Sequence, residues 1–225
     1  MKIIARLRND FPDKFGLPRQ SGLAESLLST VVMEKEYAVP EAFRGIERYD
    51  RLWLLWLFDG PEEDAFSPTV RPPRLGGNER MGVFATRSPN RPNRIGMTCV
   101  KLVSLSVTED GPVLVVAGAD MRDGTAIVDI KPYVAYADSY PEAAGGFSSP
   151  ETGKLEVTVT CPYPPEWSEG QRLTLTEVLS QDPRPAYQHD PDRVYRMRYA
   201  GYDVAFRTDE KTLTVLSFDT ETGCL

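Results

Sequence analysis

The stretch TCVKLVSLSVTEDGPVLVVAGADMRDGTAIVDIKPYVAY, residues 98–136, alternates runs of apolar and β-branched residues with turn-forming clusters. The clusters EDGP at 109–112 and RDGT at 122–125 divide it into three segments, each long enough for a strand. β-Branched residues favour strands, and Gly, Pro and Asp favour the turns between them. The stretch therefore predicts three consecutive strands with no helix between them.

Strand signals continue towards the N-terminus. KIIARLR (2–8), SLLSTVVME (26–34) and MGVFATRS (81–88) predict strands, and LWLLWLF (52–58) predicts a strand with both faces, and both of its tryptophans, buried. VPEAFRGIERY (39–49) carries its apolar residues at helical spacing and so predicts a helix. Short strands with so little helix between them predict a closed or nearly closed barrel, whereas a parallel α/β sheet needs helices that are missing.

The C-terminal third has a different pattern. Residues 138–154 are rich in Gly, Pro, Ser and acids, which is typical of a linker. SEGQRLTLTEVLSQ (168–181) begins with a capping-box spacing and predicts a helix, and residues 194–219 predict antiparallel strands. The predicted fold is mainly β, a single-sheet β-barrel followed by a small α+β appendage, with domain limits at 1–138, a linker at 139–154 and a second domain at 155–225.

Composition limits the possible functions. The 225 residues are 41% hydrophobic and 26% charged, with net charge −7, as in an ordinary globular protein. No apolar run approaches the roughly 18 residues of a membrane span. Basic residues stand early in the chain, where a secretory signal would be apolar, so we expect a cytoplasmic protein that does not enter membranes. One histidine and three scattered cysteines argue against a metal site.

Glycine spacing excludes two cofactor classes. None of the 17 glycines forms the G-x-G pair of a dinucleotide-binding turn, and the G-x-x-x-x-G-K-[ST] loop of many nucleotide triphosphatases is absent. The sequence therefore supports neither a doubly wound cofactor domain nor an NTP-binding loop.

Positive charge is concentrated in RPPRLGGNERMGVFATRSPNRPNRIGM, residues 71–97, which contains six arginines, four prolines and one acid. Prolines next to arginines reduce the entropy lost when these long side chains are ordered. Guanidinium groups bind carboxylates and phosphates at two points and stack on bases. The segment indicates a ligand or RNA role, although the arginines could instead pair with the acids of this chain.

These segments resemble one family. The central block, together with DKFGLPRQSGL (13–23), MRDGTAIVDIKPYVAYAD (121–138) and QDPRPAYQ (181–188), is similar to the TsaA-like (TrmO) family along almost the whole chain. The resemblance implies a homodimeric β-barrel enzyme that uses S-adenosylmethionine. It implies N6-methylation of N6-threonylcarbamoyladenosine beside the anticodon of threonine tRNAs.

The same resemblance implies a set of cofactor-binding residues. They lie in the loop after PRQ, at the end of the tryptophan strand, in ATRS, in IGMT and in the RDGT turn: Ser21, Gly22, Leu23, Asp59, Gly60, Arg87, Met97, Arg122, Asp123, Gly124 and Thr125. Relatives often carry histidine where this chain has Asp59.

Three further residues are candidates for the chemistry. Asp129, Lys131 and Tyr133 alternate along a predicted strand and so share one side of it. The substrate nitrogen belongs to a urea, so a base such as Asp129 would help its attack on the methyl group. Alternatively, Asp129 and Lys131 could simply pair with each other.

Candidate RNA contacts are arginines on proline-rich loops and their polar or aromatic neighbours, because this combination suits an unpaired base. They are Arg19, Arg71, Arg74, Arg91, Asn93, Arg184 and Tyr187. Two other functions remain open at this point, a cofactor-sensing or RNA-binding module without turnover and a methyltransferase acting on a small molecule.

Overall fold

The structure is a computed structural model that describes residues 1–59, 66–72, 75, 79–147, 153–184, 190 and 192–220. Within these residues the strands are β1 (Ala5–Arg8), β2 (Leu28–Met33), β3 (Arg51–Leu57), β4 (Thr69–Val70), β5 (Met81–Gly82), β6 (Ile95–Thr108), β7 (Gly111–Ala117), β8 (Ala126–Pro132), β9 (Glu156–Val159), β10 (Tyr195–Tyr199), β11 (Tyr202–Thr208) and β12 (Thr212–Thr220). The helices are α1 (Ala135–Asp138) and α2 (Glu169–Leu179).

Six strands form a closed barrel in the order β1-β2-β7-β6-β3-β8, and every neighbouring pair is antiparallel. Strands β4 and β5 form a separate two-stranded ribbon. The prediction of a mainly β fold built on a barrel is confirmed. The 98–136 stretch supplies almost all of three barrel strands, β6, β7 and β8, of which β6 and β7 are neighbours.

Burial alternates along β3 and corrects one expectation. Leu52, Leu54 and Trp56 point into the barrel, whereas Trp53 and Leu55 lie on its outer wall. The prediction that both faces and both tryptophans are buried is wrong, because an antiparallel barrel strand has one inner and one outer face.

Three long connections begin and end at the same end of the barrel. They are residues 9–27 between β1 and β2, 58–94 between β3 and β6, and 118–125 between β7 and β8. Their strand ends are neighbours in register, as in the pairs Leu28–Ala117 and Leu57–Ile95. We call this end the barrel mouth.

A second core lies between a four-stranded sheet, in the order β10-β11-β12-β9, and helix α2. The predicted helix is confirmed, and Ser168 and Gln171 form its capping box. Phe11, Ala24 and Leu27 of the β1–β2 connection are buried in this second core. One wall of the mouth is therefore packed against the C-terminal sheet and helix. The domain limits of 1–138, 139–154 and 155–225 stay a prediction.

Two local predictions fail. The helix expected at 39–49 is a pair of 3-10 turns, Pro40–Phe43 and Ile46–Arg48, because Gly45 between them has φ +90° and cannot continue a right-handed helix. The strand expected at 81–88 pairs only over β5 and then forms the 3-10 turn Val83–Ala85. None of the helices in the described ranges is long and apolar enough to cross a bilayer.

Candidate functional site

Two backbone segments approach each other closely at the mouth. The Gly22 N–H donates to the Gly118 carbonyl at 3.0 Å, and the Gly118 N–H donates to the Leu27 carbonyl at 2.9 Å. Gly118 has φ +78°, and a Cβ there would lie 3.3 Å from both N and Cα of Gly22. Glycine at 118 therefore permits both the turn and the close contact with Gly22.

Asp120 follows this contact and is the partly buried acid of the mouth. Its Oδ1 accepts a hydrogen bond from Thr98 Oγ1 at 2.7 Å, and Thr98 Oγ1 accepts one from Trp56 Nε1 at 2.9 Å. Burial raises the pKa of the Asp120 carboxyl, and the bonds from Thr98 and the Ser21 N–H and the Arg87 charge oppose this effect only in part. These hydrogen bonds hold the Asp120 carboxyl group in a fixed orientation at the end of the barrel.

Arg87 supplies the opposing charge. Its guanidinium is exposed, acts electrostatically on Asp120, and donates from Nη1 to Gln20 Oε1 at 2.6 Å. The structure therefore brings the predicted residues Ser21, Gly22 and Arg87 together around Asp120. We call Ser21, Gly22, Arg87, Gly118 and Asp120 the mouth cluster.

Asp59 and Arg122 form a second group at the mouth. Arg122 Nε and Nη2 both lie 2.8 Å from Asp59 Oδ2, and Lys14 Nζ and Arg94 Nη2 each donate to the Asp59 carbonyl at 3.1 Å. Arg122 neutralises the charge of the Asp59 carboxylate. A neutral histidine at position 59 could not form this ion pair. The loop after β3 is thus tied to the loop after β7.

The rest of the RDGT turn is tied to β1. The Asp123 and Gly124 N–H groups donate to the carbonyls of Phe11 and Leu7, at 2.7 and 2.8 Å. Asp123 also accepts bonds from the Asn9 N–H and the Arg8 guanidinium, while the buried Thr125 hydroxyl bonds to the Arg122 carbonyl. Asp123, Gly124 and Thr125 are engaged in this turn, outside the mouth cluster.

Leu23 and Met97 are exposed, at 44% and 56%. The Leu23 carbonyl accepts a bond from Gln181 Nε2 at 2.8 Å, so this residue lies next to the C-terminal end of α2. Met97 pairs with Leu55 on the outer wall of the barrel, since Gly96 and Thr98 on either side of it point inwards. Met97 is therefore separated from the mouth cluster by the barrel wall.

Asp129, Lys131 and Tyr133 follow the outer wall away from the mouth. Asp129 Oδ2 and Lys131 Nζ form an ion pair at 2.9 Å, and both side chains are more than one-third exposed. The Tyr133 ring packs on Trp53 with centroids 5.8 Å apart. Within one chain these three residues do not meet the mouth cluster.

The predicted RNA contacts divide into two groups. Arg184 is only 8% exposed and is bonded to Asp182, Thr208 and Asp209. Arg19 donates to two carbonyls of the 182–184 loop, and Arg91 to those of Val83 and Thr86. Arg71 and Asn93, in contrast, are exposed. Gly60, Arg74 and Tyr187 lie outside the described residues.

Asp120 is the residue that sequence reasoning missed. One signal was present, because Asp120 stands only three residues after the apolar run PVLVVA and two residues after Gly118. Among the described residues, no group of three His, Cys, Asp or Glu side chains could hold a metal ion.

The mouth cluster can bind a small zwitterion with hydroxyl groups. The Arg87 guanidinium suits a carboxylate, and the Asp120 carboxylate can accept bonds from hydroxyl or amino groups or face a cationic centre. A Cβ at Gly22 would meet nothing within 4 Å, so the surface on that side of Gly22 is open. A closed barrel bearing such a site agrees with a methyltransferase that holds its cofactor outside a doubly wound sheet.

Comparison with known proteins defines the family. The family model of the tRNA-methyltransferase O N-terminal domain matches residues 6–139, and that of the TrmO C-terminal domain matches residues 156–221. The class is therefore a β-barrel tRNA methyltransferase. The chain belongs to the tRNA-methyltransferase O family.

Individual relatives agree with this assignment. The Escherichia coli tRNA (adenine(37)-N6)-methyltransferase is 37% identical over 230 residues, covering 96% of each chain. The Eikenella corrodens protein of the same name is 43% identical over 72% of this chain and 92% of its own. A crystal structure of TrmO from Pseudomonas aeruginosa superposes with a TM-score of 0.73 at 30% identity, covering 96% of both chains.

Proposed function

We propose that this protein transfers a methyl group from S-adenosylmethionine to N6 of adenosine 37 in tRNA. The observation that carries the proposal is the mouth cluster. Two relatives, which this chain covers over 96% and 92% of their own lengths, have this tRNA methyltransferase activity by name. Methyl transfer from a sulfonium is an in-line displacement, so positioning and electrostatics can supply most of the acceleration. A site with one carboxylate and one guanidinium is sufficient for this chemistry.

The mouth cluster is assigned to the cofactor. Arg87 pairs with the methionine carboxylate, and the backbone of Ser21 and Gly22 lies against the adenosyl part. Asp120 binds ribose hydroxyls or the amino group and favours the positive sulfonium. The Asp59–Arg122 pair holds two mouth loops at a fixed separation. In this proposal the donor methyl lies at the barrel mouth, where the RNA approaches.

The substrate proposed at the finer level is N6-threonylcarbamoyladenosine in threonine tRNAs, as the family resemblance implies. Its N6 lies between the adenine ring and a carbonyl, which makes it a weak nucleophile until its proton is removed. Exposed Arg71 and Asn93 are assigned to the RNA. We expect the protein in the cytoplasm, where tRNA is used in translation.

Residues on the outer wall gain a role in a homodimer. The outer wall that carries Asp129, Lys131 and Tyr133 is separate from the mouth of the same chain. In this proposal these residues act at the mouth of a second copy. Beside them lie Met97, 56% exposed, and Ile95, 36% exposed, which give this wall an apolar surface suited to association. In the dimer, Asp129 is the proposed base and Met97 lines the partner's cofactor site.

The dimer is tested by Met97→Glu, with Val103→Glu on the same strand as the matched control, since Val103 is 49% exposed. Sedimentation velocity at several concentrations is expected to show a dimer for the unchanged protein and for Val103→Glu, and a monomer with reduced activity for Met97→Glu. A Met97→Glu protein that remains a fully active dimer would exclude this wall as the interface.

The reaction is tested with methyl-labelled S-adenosylmethionine and two preparations of threonine tRNA, with and without the threonylcarbamoyl group. Label is expected only in the modified tRNA, and nucleoside analysis is expected to place it on N6 of adenosine 37. Cofactor binding without transfer would favour a sensing module. Transfer to a metabolite but to neither RNA would favour a small-molecule methyltransferase.

A further inference from the structure

Two aromatic side chains are exposed beside the mouth. Phe84 is 71% exposed and Phe66 is 49% exposed, and their rings stack with centroids 6.4 Å apart at an interplanar angle of 28°. Large apolar side chains are usually buried, and this pair forms a flat surface that neither core contains. The pair is not used by the cofactor site described above.

The Phe84 ring is held in place by its neighbours. Phe84 is the middle residue of the 3-10 turn Val83–Ala85, which is closed by the Thr86 N–H donating to the Val83 carbonyl at 3.1 Å. Arg91 donates to the carbonyls of Val83 and Thr86, at 3.1 and 2.7 Å, and its guanidinium carbon lies 5.4 Å from the Phe84 ring centroid. A ligand on Phe84 would therefore lose little entropy in ordering the ring.

The ring is close to the mouth cluster. Arg87 follows Phe84 by three residues, so their Cα atoms are within about 11 Å of each other. Arg87 in turn bonds to Gln20, which directly precedes Ser21 and Gly22 of the mouth cluster. Arg71 and Arg80 add two more exposed guanidinium groups in the same segment, in a protein of net charge −7.

We propose that Phe84, supported by Phe66 and Arg91, stacks on an unpaired base of the anticodon loop adjacent to the methylated adenosine. Aromatic rings bind the faces of unstacked bases, and nearby arginines bind the phosphates that join them. The positive charge around the rings favours this flat anionic partner over an apolar protein surface. The inference rests on the proposed function, because it takes RNA as the ligand.

The test measures RNA binding and turnover separately. The probe is a synthetic anticodon stem-loop of threonine tRNA carrying the threonylcarbamoyl group, and its Kd and KM are measured at one salt concentration. Phe84→Ala and Phe84→Leu are each expected to weaken binding about 5- to 150-fold, which is the effect of one base–aromatic stack. Phe84→Trp is expected to bind at least as well as the unchanged protein.

Two controls separate stacking from general damage. The Kd for S-adenosylhomocysteine is expected to stay within about twofold in all Phe84 variants, because the cofactor is held by other residues. Val107→Ala truncates a side chain that is 62% exposed at the opposite end of the barrel, and it is expected to leave RNA binding unchanged. The fluorescence of 2-aminopurine next to the target adenosine is expected to be quenched by the unchanged protein and not by Phe84→Leu.

Several results would overturn the proposal. RNA binding by Phe84→Leu equal to that of the unchanged protein would show that no base stacks there. Dissociation of a dimer by Phe84→Ala would show that the ring is a protein contact. A protein that binds the stem-loop through Phe84 but transfers no methyl would refute the proposed function and leave the stacking site standing.

Discussion

Asp120 shows how a single side chain can depend on the whole barrel. Its carboxylate is oriented by Thr98, which is oriented by the buried Trp56 indole, and Gly96 makes room for that indole. A Cβ at position 96 would lie 2.3 Å from the Trp56 ring. The orientation of the acid at the mouth therefore depends on residues inside the barrel as well as on the backbone of the mouth loops.

Replacing Asp120 with Asn separates stability from binding. Burial raises the pKa of Asp120, so ionising this carboxyl group costs more free energy in the folded protein than in the unfolded chain. The stability that the protonated group provides is therefore complete below the unfolded pKa and is lost as the pH rises through the folded pKa. We expect Asp120→Asn to increase the free energy of unfolding at about pH 8 and to change it little at about pH 4, as measured by urea denaturation.

The same variant should bind the cofactor poorly. Loss of a charged hydrogen-bond acceptor is expected to raise the Kd for S-adenosylhomocysteine at least about tenfold, measured by calorimetry. Equal effects on stability at both pH values, or an unchanged Kd, would contradict the account of Asp120.

Helix α2 holds the part of the β1–β2 connection that carries Gly22 of the mouth cluster. Glu177 accepts bonds from the Ser26 N–H at 3.1 Å and from the Ser26 hydroxyl at 2.6 Å, and the Gln181 amide, just beyond the helix, donates to the Leu23 carbonyl. Arg19 at the start of the loop donates to the carbonyls of Asp182 and Arg184. The C-terminal unit thus positions a loop that the barrel strands alone do not hold.

Glu177→Ala tests this positioning role. The variant leaves two donors of Ser26 without their acceptor, so we expect a loss of about 1–3 kcal/mol in the free energy of unfolding and a several-fold higher Kd for S-adenosylhomocysteine. Leu173→Ala, on the same helix and 52% exposed, is the control and should change neither quantity. A Glu177→Ala protein with the Kd of the unchanged chain would show that the loop needs no support from α2.

Prediction from sequence succeeded where local pattern decides the structure. Alternating strands, the EDGP turn and the Ser168 cap depend on neighbours in the chain, and all three are present. The pair Trp56–Thr98 joins residues 42 positions apart and Thr98–Asp120 joins residues 22 apart, so no local pattern reveals them. Two arginines illustrate the same limit. Arg87 and Arg184 both lie near prolines in the sequence, yet Arg87 is exposed and Arg184 is buried.

At the scale of the whole molecule, two cores share one stretch of chain. Phe11 follows β1 of the barrel but is fully buried in the second core, where its ring lies 4.7 Å from that of Tyr199. Its carbonyl accepts the bond from the Asp123 N–H at the mouth. The second core is therefore bonded to the RDGT turn, which follows Asp120 of the mouth cluster.

Phe11→Ala and Phe43→Ala test this coupling as a matched pair. Phe43 is 6% exposed and packs in the barrel core from the 34–50 connection, away from the mouth. Each substitution should lower the free energy of unfolding by about 3–5 kcal/mol. Only Phe11→Ala should also raise the Kd of the folded protein for S-adenosylhomocysteine. If Phe11→Ala and Phe43→Ala changed this Kd equally, the coupling would be contradicted.

The most direct test of the central claim is a crystal structure of the protein with S-adenosylhomocysteine. The account predicts the adenosyl group at the barrel mouth, the amino acid carboxylate on Arg87, and Asp120 within hydrogen-bond distance of the ligand. A ligand bound elsewhere, with Arg87 and Asp120 making no contact to it, would contradict the account.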